Sequence, residues 1–219
     1  MDVEPSVGVV VDAAPESART AEGIARVAAR LFAERGFDAT SVREIAEAAG
    51  VTKPTLYYHF GSKQGLGEAI LTRPMAGLAA GLTAFLADES ARGDPIRLLE
   101  RIFQVHLDFV VADPDRARFL YATCFGPAGS SFRGEVGRYG EAFERALGAV
   151  AGRLAGAGVI DAGRAGACVT VCRGLIMATT LDHIYCGQAI GPGLAGRLVG
   201  DLLDGFACRP DSGGRRSGS

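Results

Sequence analysis

The sequence predicts an all-α protein with an N-terminal helix-turn-helix domain and a larger C-terminal helical domain, and three observations carry that expectation. Apolar residues recur every three to four positions along most of the chain. Alternating apolar and polar residues bounded by turn signals, the mark of a strand, are missing. The two lysines in the 219 residues, Lys53 and Lys63, bracket the segment Lys53-Pro-Thr-Leu-Tyr-Tyr-His-Phe-Gly-Ser-Lys63. Its cations, hydroxyls and rings are the chemistry of a surface that grips phosphates and reaches base edges.

Residues 1–17, with Pro5, Pro15 and no helical period, read as a loose arm. From Ala18 the residues Ile24, Val27, Ala28, Leu31 and Phe32 keep helical spacing until Gly36 stops the helix. Thr40 or Ser41 can cap a short helix carrying Val42, Ile45, Ala46 and Ala49, with Glu44 placed to complete a capping box. Gly50 ends that helix. Thr52 caps the next, where Pro54 sits early enough that its missing N–H costs nothing. Leu56 and Phe60 face inward and leave Lys53, Thr55, Tyr57, Tyr58 and His59 around the remaining surface. Two short helices joined by a tight turn and braced by a longer one make a helix-turn-helix, with the second as recognition helix.

Periodicity continues through Leu66, Ala69 and Ile70, and Arg73-Pro74 should kink or split the helix before it resumes with Leu78, Leu82, Phe85 and Leu86. Asp94-Pro95 opens a helix with the stripe Ile96, Leu99, Ile102, Phe103, His106 and Val110, and Asp113-Pro114 opens another through Phe119 and Leu120. Long helices over about 132–154 and 162–186 and a last one over 194–207 complete the series. The Gly/Ser/Arg tail, 209–219, has nothing to bury. The organisation is therefore an arm (1–17), a helix-turn-helix domain (18–66), a second helical domain (67–208) and a disordered tail.

A hydrophobic content of 48% is ample for a packed core. A net charge of −2 argues against non-specific coating of nucleic acid, although the stretch 19–73 is about +2 while the remainder is about −4. Five cysteines, Cys124, Cys168, Cys172, Cys186 and Cys208, lie in apolar stretches with no secretory signal before them, so reduced thiols in a cytoplasm are expected. Charges or glycines interrupt every candidate membrane span, and no membrane partner is expected. There is no carboxylate pair with a base, no Gly-rich phosphate loop and no partnered nucleophile, so neither an enzyme nor a cofactor is expected.

The runs Ala28-Ala-Arg-Leu-Phe-Ala-Glu-Arg-Gly-Phe, Thr40-Ser-Val-Arg-Glu-Ile-Ala and Ala49-Gly-Val-Thr-Lys-Pro-Thr-Leu-Tyr-Tyr-His-Phe, followed by Gly61-Ser-Lys, resemble the DNA-binding domain of TetR-family transcriptional regulators over about fifty residues. The resemblance implies a homodimer whose first three helices bind an inverted-repeat operator in double-stranded DNA. Its remaining helices would hold a pocket for a small-molecule effector that releases the DNA, and repression is that family's usual habit. Carried over by position, Lys53, Pro54, Thr55 and Arg43 fall where base edges or nearby phosphates are met. Tyr57, Tyr58, His59 and Lys63 fall where phosphates or sugars are held, and Thr40 and Thr52 where the backbone is contacted or a helix capped. By the same resemblance, the Ala/Gly-rich stripe with Leu175, Ile176, Leu198 and Leu202 is the dimer face.

His106, on an apolar stripe, is either a core histidine with one hydrogen bond or a group that orients a ligand; Phe103, Tyr121 and Phe125 are candidate pocket walls or plain core. Cys168, Cys172 and Cys186, with His183, share one stripe, but Cys172 and His183 lie about 16 Å apart along the axis, too far for one ion. Core thiols are the commoner role, and no metal site is expected. Readings without DNA binding are an α-helical enzyme or a helical protein-interaction module; the intact segment 53–63 argues against the latter.

Overall fold

The computed structural model describes residues 15–87, 93–127 and 129–205. Most of the expected arm, the tail, Cys208 and the last residues of the expected final helix lie outside them. Among the described residues there are helices and turns and no strand.

Three helices open the chain: α1 (Glu16–Arg35), α2 (Val42–Ala48) and α3 (Lys53–Phe60). Their limits are set locally. Gly36 ends α1 at φ 85, a region open to glycine. Ser41, not Thr40, caps α2: its hydroxyl accepts from the Glu44 N–H at 3.2 Å and the Glu44 carboxylate accepts from the Ser41 N–H at 2.8 Å. Those Ser41 contacts hold the Glu44 carboxyl below its ordinary pKa. The Thr52 hydroxyl accepts from the Thr55 N–H at 3.3 Å and starts α3.

A continuous helical segment follows: α4 (Lys63–Gly67), a wider π turn over Glu68–Thr72, and α5 (Arg73–Ala87). Of the kink or split expected at Arg73-Pro74, the split is absent. The Arg73 N–H reaches back five residues to the Glu68 carbonyl, and the widened turn makes room for the proline ring near the carbonyl of Ile70. Then come α6 (Pro95–Ala112), capped by the Asp94 carboxylate, and α7 (Pro114–Phe125), capped by Asp113. The last three are α8 (Arg133–Gly156), α9 (Ala165–Cys186) after a 3-10 turn at Ala162–Arg164, and α10 (Leu194–Asp204).

Two cores result. One joins Ile24, Ala28, Phe32, Ile45, Leu56 and Leu66 to Phe109, Ala117, Phe119, Leu120, Phe132, Val136 and Ile184. The N-terminal three-helix unit closes on itself and also buries apolar surface against α7 and the start of α8. The second core lies among α6, α8, α9 and α10, with Leu99, Ile102, Phe103, Leu147, Val150, Ile176 and Val199. Phe132 is the tightest joint between the two halves. It adopts φ 67, unusual for a bulky residue, and its ring meets Phe37 edge-on at 4.9 Å. A Cβ on Gly67 would lie 2.5 Å from the Phe132 ring and 2.9 Å from Phe37, so only glycine admits this approach of α4.

By length and hydropathy, Lys63–Ala87 and Ala162–Cys186 do reach the range of a membrane span, with mean hydropathy 1.4 and 1.2, which corrects the sequence expectation. Ionisable residues such as Glu68, Arg73, Arg173 and Asp182 interrupt both, and burying such charges in hydrocarbon is costly. Only 17% of the apolar window of the second is buried, which leaves Val171, Met177 and Ala178 of α9 facing outward.

Candidate nucleic-acid interface and internal cavity

Helix α3 is held from behind and open in front. Leu56 is fully buried and Phe60 packs on the same core, which fixes the helix against α1 and α2. Lys53, Pro54, Tyr57 and Tyr58 are exposed, Tyr58 at 82% and Tyr57 at 46%. Both tyrosine hydroxyls are thus open to a phosphate. The His59 ring meets that of Tyr58 edge-on at 5.1 Å. Thr55 is half-buried, its hydroxyl 2.8 Å from that of Thr52, so each threonine is partly occupied with the helix start. On α2, exposed Arg43 forms a surface pair with Glu47 at 3.3 Å, an exposed contact of little energetic weight that an incoming phosphate can replace.

Two expected contacts are placed differently. Thr40 is 1% exposed and its hydroxyl, which donates to the Gly36 carbonyl at 2.8 Å, is turned into the domain. It locks the end of α1 and is removed from the expected backbone-contacting set. Lys63 lies over the Phe37 ring at 4.4 Å and donates to the Asp38 carbonyl at 3.4 Å, while the Asp38 carboxylate accepts from the Ser131 hydroxyl at 2.9 Å. An ammonium carries three donors, so Lys63 keeps hydrogens for a phosphate, yet its position is tied to the loop that precedes α8.

The helical domain holds a half-open cavity of about 460 Å³ lined by α6, α7, α8 and α9. Most of its wall is apolar, including Leu120, Phe125, Val136, Phe143, Ile176 and Met177. His106 and Tyr121 line it; Phe125 stands 66% exposed at its edge. Phe103 does not reach it: the ring is fully buried in the second core, one helical position away from the cavity face. Ile176, expected at the dimer face, is 2% exposed and forms cavity wall instead. Leu175, Leu198 and Leu202 are half-buried against the second core and offer only part of their surface to a partner.

Polar groups in the cavity form one chain. His106 Nδ1 lies 3.2 Å from the Tyr139 hydroxyl and Nε2 lies 3.4 Å from the Thr180 hydroxyl, with Tyr121 beside Thr180. Burial pushes the imidazole pKa down to about 4, so it is neutral at physiological pH, and burial raises those of Tyr121 and Tyr139. At the mouth, the Arg173 guanidinium is paired with Glu144. Tyr139, Thr180 and Arg173 were missed from sequence. Tyr139 does lie three residues from Val136 and four from Phe143, an inward position on α8 that could have been noticed.

Among the described residues the thiols do not assemble a metal site. Cys168 and Cys172 Sγ atoms are 4.0 Å apart, Cys172 is buried, and burial together with Cys168 pushes its pKa up to about 12. His183 instead places Nδ1 2.8 Å from the Gln188 carbonyl. Among the described residues no cluster of three or more metal-ligating side chains occurs.

Residues 24–70 match the model of the bacterial regulatory proteins of the tetR family. The HTH-type transcriptional repressor KstR2 of Rhodococcus jostii (strain RHA1) is 48% identical over 60 residues, 27% of this chain and 29% of that protein. The HTH-type transcriptional activator FasR of Mycolicibacterium smegmatis (strain ATCC 700084 / mc(2)155) is 34% identical over 94 residues, 43% of this chain and 42% of FasR. The chain thus spans less than half the length of either relative. Over the helical domain as well, the fold is similar to that of the TetR family transcriptional regulator PfmR from Thermus thermophilus, with a TM-score of 0.63, 25% identity and coverage of 84% of this chain and 99% of PfmR.

Proposed function

We propose that this chain, whose residues 24–70 carry the DNA-binding domain of the tetR family, is a dimeric transcriptional repressor released from an inverted-repeat operator by a small molecule. One observation supports this reading most: the exposed polar surface of α3 and the cavity are built on the same core. Leu56, behind the recognition helix, packs in one cluster with Leu120 and Val136, which line the cavity. A molecule that spreads α7 from α8 shifts the seat of α1 and with it the orientation of α3.

In this reading residues 18–66 bind DNA and residues 67–208 bind effector and partner. Lys53, Pro54 and Thr55, with Arg43, meet base edges and nearby phosphates; Tyr57, Tyr58, His59 and Lys63 hold the backbone, and Thr52 caps α3 beside it. The outward apolar residues of α9, Val171 and Met177, seat the second copy in place of Ile176. Two recognition helices related by a two-fold axis need half-sites about 34–36 Å apart.

The test is fluorescence anisotropy with duplexes from the gene's own promoter region. An intact inverted repeat is expected to bind with a steep salt dependence, and a duplex with one half-site at least about tenfold more weakly. Equal binding to intact, half-site and scrambled duplexes would remove the proposal.

A further inference from the structure

The hydrogen-bonded chain around the cavity has more donors than it can use internally. Tyr121, Thr180, neutral His106 and Tyr139 carry four polar hydrogens, three on hydroxyls and one on the imidazole. The two contacts of the imidazole consume two of them. Whichever imidazole nitrogen carries the proton, two hydrogens are left over, that of Tyr121 and that of either Tyr139 or Thr180. Both tyrosines line the cavity. A buried donor without an acceptor is costly, so a molecule filling the apolar space gains most by offering an oxygen there.

Charge points the same way. Leu120, Val136, Phe143 and Ile176 surround this chain with apolar surface, and the neutral imidazole supplies no countercharge for a buried carboxylate. The nearby guanidinium, that of Arg173, stands at the mouth and is already paired with Glu144.

We infer that the cavity takes an uncharged, largely apolar molecule bearing one acceptor oxygen, a ketone, ester or ether, seated against Tyr121 and the Thr180–His106–Tyr139 chain. This rests on the cavity being the effector site, but the chemistry of binding and the effect on DNA are measured separately.

The experiment is calorimetric titration of the full chain, without DNA, with three probes of matched shape: 2-acetylnaphthalene, 2-ethylnaphthalene and 2-naphthoate. The ketone should bind about tenfold more tightly than the ethyl compound, the worth of one buried hydrogen bond, and more tightly than the anion. In the double variant Tyr121→Phe with Tyr139→Phe the ketone's advantage should shrink to about twofold. Equal binding of the ketone and ethyl compounds, tightest binding of the anion, or no binding of any probe would overturn the inference, and the unsubstituted protein decides these outcomes even if the double variant fails to fold. If the ketone binds as expected but leaves operator affinity unchanged, the ligand chemistry stands and the effector reading falls.

Discussion

Helix α3 and the cavity among α6 to α9 each present a group of polar side chains, and they are built in opposite ways. On α3, Lys53, Tyr57 and Tyr58 stand in solvent and contribute little to holding the fold, since surface groups away from caps rarely matter by more than about 0.5 kcal/mol. In the cavity, His106 is 5% exposed, Tyr139 is 8% exposed and Thr180 is fully buried, so each must be satisfied by the others and each bears on stability. Function can therefore vary freely in one region and not in the other. In the proposed reading, the exposed face of α3 can be changed without cost to the scaffold, whereas a change in the cavity chain alters ligand choice and folding together.

The two regions nonetheless share a core, and the largest expected effect tests that link. Phe32 packs 4.9 Å from Phe37 and 5.2 Å from Phe119. Phe32→Ala should cost roughly 3–5 kcal/mol and, because α1 and α7 bury one another, unfold both halves in a single urea transition followed by circular dichroism and tyrosine fluorescence. Two separate transitions would show that the halves are independent.

Next in size is a pH effect confined to the cavity. His106 has a folded pKa of about 4 against an ordinary 6.5. Above pH 6.5 the imidazole is neutral in both states and stability is complete. As pH falls from 6.5 towards 4 the unfolded chain takes up a proton that the folded chain refuses, and stability drops by up to about 3 kcal/mol. His106→Gln, which retains a donor and an acceptor but does not titrate, should flatten that part of the profile in denaturation at pH 7, 6 and 5; an unchanged slope would assign it to other groups.

Smaller effects belong to α3 and α4. Lys53→Ala should weaken operator binding by about 1–3 kcal/mol and relax sequence preference, with stability unchanged within about 0.5 kcal/mol. The smallest change is expected for Lys63→Ala: a salt-dependence slope lowered by about one for every duplex alike, together with a stability loss near 0.5–1 kcal/mol from the Phe37 contact. Identical profiles for the two variants would erase the distinction between reading bases and gripping backbone.

Much of the exposed face of α3 was legible because its determinants are local. A cap and the residue three positions on, such as Ser41 with Glu44, or Thr52 with Thr55, sit within one turn, so their chemistry is written in adjacent letters. The cavity was only half legible. His106 stood out as a polar residue in an apolar stripe and Tyr121 as a candidate wall, but Tyr139 and Thr180 come from two further helices, 33 and 74 residues from His106.

The helices, their capped starts, the glycine stops and the exposed face of α3 were written in the amino-acid order, since each follows from steric and hydrogen-bonding preferences within a few residues. Packing in three dimensions was needed to turn Thr40 inward, to commit Phe103 to the core and to make Ile176 a cavity wall. It also brought Phe37, Gly67 and Phe132 together to knit the two halves. Periodicity tells which side of a helix is buried but not which neighbour lies against it, and a cavity exists only where several helices stand too far apart to close.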